Sequence, residues 1–171
     1  STYDTPQERA YLYSNQADAK EDQKKAAEKI LNSQDATEEE KAAAQNKINQ
    51  LSDELLDVYA KAVEVRTGLK AEAEAKLEAA TTEEEKAAAQ AEISENNTGL
   101  FKAMTGIVEV QTEQKAAAQE KLDAATTDEE KAAAQAELDK ITESLKASQD
   151  DLREIQVQVS NDAAEAAKAA Q

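Results

Sequence analysis

Apolar residues recur in steps of three and four through the middle of the chain, at Ile48, Leu51, Leu55, Val58, Ala62, Val65 and Leu69. Alternating steps of this size put side chains on one stripe of a helix and mark a coiled-coil-like seam. The same steps reappear 90 residues on, at Leu138, Ile141, Leu145, Ser148, Leu152, Ile155 and Val159. At 45 residues on they pass through Ile93, Asn96, Leu100, Ala103, Ile107, Val110 and Gln114. That copy keeps the frame but carries polar Asn96 and Gln114 on it, and Phe101, Met104 and Val108 widen its seam. Each copy predicts one helix of roughly 40 residues, about 60 Å at a rise of 1.5 Å per residue.

Before each seam stands one phrase at the same 45-residue interval, over Thr37–Gln45, Thr82–Gln90 and Thr127–Gln135. Each is a Thr, three acidic residues, Lys, three Ala and Gln. A fixed period of this size marks a repeated supersecondary unit. Each Thr can cap a helix, and the Glu three residues on can reach back to it: Thr37 with Glu40, Thr82 with Glu85, Thr127 with Glu130. Turns are therefore predicted just before the capping residues, at Asn32–Ala36, Ala79–Thr81 and Ala124–Thr126. A rival reading breaks the helices at Arg66–Gly68 and Glu95–Gly99. In a milder form of it, Gly99 and its polar neighbours kink the third helix.

A further helix is predicted from Thr5 to Leu31, with Pro6 in its first turn. It reads as an irregular partner, because Tyr11, Leu12 and Tyr13 cluster and Lys20 and Lys24 fall where a clean seam would be apolar. The predicted fold is all-α. It is an elongated antiparallel up-down bundle, coiled-coil-like, of four helices over 5–31, 38–78, 83–123 and 128–168, in a single domain 1–171. Such a bundle brings both termini to one end and makes the first and last helices antiparallel neighbours.

Composition narrows the function classes. The net charge is −17, which disfavours nucleic acid and anionic membrane surfaces as partners. Cysteine and histidine are absent, so no disulfide framework, thiolate nucleophile or ordinary zinc site is expected. No apolar run approaches a membrane span, and the first residues lack a basic-then-apolar leader pattern. The aromatic residues are Tyr3, Tyr11, Tyr13, Tyr59 and Phe101, too few for a broad globular core.

The acidic clusters Glu38–Glu40, Glu83–Glu85 and Asp128–Glu130 lack the alternating ligand pattern and central Gly of a calcium loop. They fit the positive end of a helix dipole, with Lys41, Lys86 and Lys131 as surface partners. Paired carboxylates for acid–base work would need an apolar cleft that the sequence does not supply. No enzyme, cofactor or metal is therefore expected. Asn96-Asn97-Thr98 matches a glycosylation sequon and is read as an exposed kink beside Gly99, the alternative being a buried Asn96 that fixes helix register. Tyr59 and Met104 occupy equivalent seam positions and are read as core. The alanine tail Ala163–Gln171 is helix-prone with almost nothing to bury, and is expected to fray unless something packs on it.

The expected function is structural: a self-assembling protein, a subunit of a bacterial secreted or surface filament that packs through its first and last helices. Tyr11, Leu12, Tyr13, Ile155, Val157 and Val159 are the expected assembly contacts, with Tyr11, Leu12 and Tyr13 alternatively closing one end of the bundle. The partners expected are copies of the chain in a homo-oligomer or polymer, and the expected location is extracellular or at the cell surface. The composition, without Cys, His or Trp and rich in Ala, Gln, Thr and Asn, is similar to that of flagellin-type and type III secretion filament subunits. This is a likeness of composition, without shared sequence motifs, and it implies terminal helices packed into an assembly core. The alternative is a helical module of a bacterial surface protein that docks another protein on one helix face.

Overall fold

A computed structural model describes residues 5–170, and these form α1 (Pro6–Leu31), α2 (Glu38–Ala79), α3 (Glu83–Ala124) and α4 (Asp128–Ala169), with no strand among them. Ser1–Asp4, including Tyr3, and Gln171 belong to the expected domain but lie outside the described residues. α2, α3 and α4 each have 42 residues, a length of about 63 Å. Contacts divide the chain into two compact units, Ser1–Ala103 and Met104–Gln171, with the boundary inside α3.

The three phrases do begin helices, through a hydrogen-bond arrangement more specific than a simple cap. The hydroxyls of Thr37, Thr82 and Thr127 each accept from the backbone N–H three residues on, at 3.0 Å. In the second and third copies the Glu carboxylate reaches one residue further back than expected. Glu85 accepts from the Thr81 N–H at 3.4 Å and Glu130 from the Thr126 N–H at 3.1 Å. In a continuing helix those N–H groups would bond Leu77 and Leu122. Those carbonyls instead accept from Ala80 at 3.3 Å and Ala125 at 3.2 Å. A helix thus stops without Gly or Pro, because a carboxylate takes the N–H that would have carried it onward. In the first copy the Glu40 carboxylate accepts from the Thr37 hydroxyl itself, at 3.1 Å. Thr5 caps α1 in the same manner, accepting from the Glu8 N–H at 3.1 Å.

In the first unit α1 packs along α2, and α2 returns against the first part of α3. Lys20 of α1 meets Glu54 of α2 at 3.2 Å, and Lys102 of α3 meets Asp18 of α1 at 3.3 Å. Leu51, Leu55, Val58 and Leu69 of the α2 seam are buried, joined by Ser52, Tyr59 and Ala73. Complete burial of a Leu or Val is worth about 1.5–3 kcal/mol, so the stability of this unit concentrates at mid-helix. In the second unit α3 and α4 meet near their shared turn through Lys121 and Glu137 at 3.7 Å. The α4 seam buries Leu138, Leu145 and Ile155, while Ile141, Ser148, Leu152 and Val159 are half-buried.

Two expectations are corrected. The first concerns α1, which is regular. Ala10, Tyr13, Ala17, Lys20, Lys24, Ala27 and Leu31 are all buried or half-buried and step by three and four throughout. Its seam is built of small and amphipathic side chains, which let α1 lie close to α2 while the lysine stems cover apolar surface. The second concerns α3, which runs unbroken through Asn96–Gly99, with Asn96 and Asn97 only 6% and 2% exposed. The asparagines of the sequon are therefore packed inside the protein, while its Thr98 is exposed.

Candidate functional site

The expected contact residues separate by helix face. On α1, Tyr11 is 68% exposed, Leu12 is half-buried, and Tyr13 turns into the α1–α2 seam. A step of two residues is 200° around a helix, so Tyr11 and Tyr13 cannot share a face. Tyr13 lines a shallow groove with Pro6, Arg9, Val65, Gly68 and Leu69. On α4, Val157 is 60% exposed, Val159 is half-buried, and Ile155 is buried within the chain. Tyr59 is buried and Met104 half-buried. α4 stays helical to Ala169, yet Ala163–Ala170 are exposed throughout, so nothing among the described residues covers the tail.

The most specific side-chain arrangement lies elsewhere, between α2 and α3. The Arg66 guanidinium donates through Nη1 to Asn96 Oδ1 at 3.2 Å. Asn96 Nδ2 in turn donates to the Glu92 carbonyl one turn back, at 2.9 Å, which fixes the direction of its amide. The guanidinium lies across Gly99: a Cβ there would come within 2.6 Å of Nε and 2.9 Å of Cζ. Gly99 is thus the passage for Arg66, which accounts for a glycine in the middle of a long helix. Sequence periodicity marks Asn96 as a polar seam residue, but it does not reveal that Arg66, thirty positions earlier, crosses to meet it.

Among the described residues, perturbed titrating groups lie at ion pairs and a helix cap. Hydrogen bonds from Lys20 and then Gln50 hold the Glu54 carboxyl below its usual value. Those from the Thr126 and Thr127 backbone hold Glu130 low. A bond to Asp57 pushes Lys61 up. These are the partnerships of surface pairing and helix capping. Among the described residues no group of three or more Asp or Glu is arranged to hold a metal ion, and no helix is long and apolar enough to cross a membrane. No protein-family model, curated protein or solved structure matches the chain.

Proposed function

We propose that this is a structural protein that assembles with copies of itself, as a subunit of a bacterial filament that is secreted or displayed at the surface. The observation that carries the reading is the exposure of large apolar side chains, Tyr11 and Ile30 on α1 and Val157 on α4, of which Tyr11 and Val157 are the most exposed. Leu12 is half-buried and adjoins Tyr11 on α1, whereas Val159, two residues from Val157 and half-buried, faces another side of α4. Exposed apolar groups of this kind gain free energy when a second surface covers them. Ile155 and Tyr13 serve the packing of their own helices and are left out of the contact. With a net charge of −17, copies repel one another at low ionic strength, so assembly requires salt.

The double substitution Leu12→Asp with Val157→Asp tests this. Assembly, read by negative-stain imaging and solution mass at physiological salt, is expected to disappear while helicity by circular dichroism is kept. Polymers that survive the double substitution would overturn the contact.

A second reading, a module that docks another protein, draws support from the groove between α1 and α2. Gly68 opens onto that groove, and a Cβ added there meets nothing within 4 Å. A monodisperse monomer that forms a stoichiometric complex lost on filling the groove with Gly68→Leu favours this reading over assembly.

A further inference from the structure

Three helices that begin with nearly the same phrase pose a pairing problem. The α2–α3 hairpin is tied near its turn by Lys76 and Glu92 at 3.1 Å. Shifted by 45 residues, the same tie recurs in the α3–α4 hairpin as Lys121 and Glu137 at 3.7 Å. The caps recur as well, Thr82 with Glu85 and Thr127 with Glu130, both at 3.0 Å. Judged by their turn ends, α3 and α4 are interchangeable partners for α2. The α4 of a second copy could lie antiparallel along α2 with Glu137 where Glu92 belongs.

The hairpins differ two to three turns further in. Shifting the Arg66, Asn96 and Gly99 cluster by 45 residues gives Gln111, Ile141 and Ser144. We propose that the Arg66–Asn96–Gly99 contact selects the partner of α2, admitting α3 and rejecting the α4 of another copy. Against α3, the half-buried guanidinium finds an amide oxygen at 3.2 Å and a residue without a side chain to cross. Against α4 it would meet the aliphatic Ile141 in place of the acceptor. It would also meet Ser144, whose Cβ fills the passage. A half-buried charge then loses its hydrogen bond and the passage that held it, which penalises the wrong pairing. The second hairpin has no such charge. Its equivalent residue is the neutral Gln111, whose Oε1 is buried without a hydrogen-bond partner.

The absence of cysteine makes a crosslinking test direct. Lys76→Cys is placed in one full-length chain and Glu137→Cys in a second chain lengthened by a tag. The two are refolded together from urea and joined with a short bis-maleimide. With the natural residues, the mixed α2–α4 crosslink is expected to be a trace. Rebuilding the acceptor on α4 by Ile141→Asn with Ser144→Gly, in the Glu137→Cys chain, is expected to raise it roughly tenfold, the scale of a hydrogen bond to a charged group. Arg66→Gln in the Lys76→Cys chain is expected to raise it likewise. A chain carrying both Lys76→Cys and Glu92→Cys, crosslinked within itself, confirms in each background that α2 and α3 still pair. Should Arg66→Gln not fold, the α4 variant decides, since it leaves the α2–α3 hairpin untouched. An unchanged yield of mixed crosslink with the α4 variant overturns the proposal. The readout is independent of filament formation, so it stands or falls separately from the assembly reading.

Discussion

Gly68 and Gly99 both lie inside long unbroken helices, and their surroundings are opposite. Nothing within 4 Å would meet a Cβ at Gly68, whereas one at Gly99 strikes the Arg66 guanidinium. Gly68→Ala is therefore expected to stabilise by up to about 1 kcal/mol through helix propensity. Gly99→Ala gains the same propensity but drives the guanidinium off Asn96, a loss of about 1.5–3 kcal/mol for a hydrogen bond to a charged group. The net is a destabilisation of about 1 kcal/mol, and urea unfolding of the two variants should show opposite signs. At Glu130 the lowered carboxyl pKa contributes stability above the ordinary carboxylate range, and this contribution is lost as pH falls through the depressed folded value. Amide-exchange protection of Thr126 should follow that course in the natural protein. In Glu130→Gln it should no longer vary with pH over the carboxylate range.

The elements were legible wherever the signal was local. A capping Thr, its Glu and the apolar steps behind it lie within a few residues of one another, so the ends of α2, α3 and α4 follow from the sequence to within a residue. α1 was harder to read because its seam is made of Ala10, Ala17, Lys20 and Lys24, which carry the right spacing but not the usual large aliphatic residues. The Arg66–Asn96 bond was not legible, because it depends on which residues of separate helices come level once α2 and α3 fold together. Small residues at the helix ends have a role of their own. Ala73 is fully buried while nearby Ala75 is exposed. Ala73→Leu is expected to cost about 1–3 kcal/mol by overpacking, with Ala75→Leu close to neutral. Thermal melts of the pair test whether close helix approach depends on the small residue.

For the molecule as a whole, charge is expected to oppose folding through repulsion spread along the chain. The net charge is −17. The ion pairs that offset it, such as Lys61 with Asp57 and Lys86 with Glu83, are exposed surface pairs that contribute little. Raising ionic strength from 0.01 to 0.15 M shortens the screening length from about 30 to about 8 Å. Repulsion spread over the whole chain should weaken more than the pairs do. The melting temperature is expected to rise by about 2–4 °C, the shift that ~1 kcal/mol gives at this chain length. A fall in melting temperature would mean that the local pairs dominate.

The burial of Asn96 sets an order of events. A glycosyltransferase needs the side-chain nitrogen in the open, yet in the finished fold that nitrogen is bonded to the Glu92 carbonyl and the oxygen to Arg66. Sugar could be attached only to a chain whose second and third helices had not yet closed, and once attached it would stand where the guanidinium belongs. Folding and modification at this sequon exclude each other, and whichever comes first prevents the other.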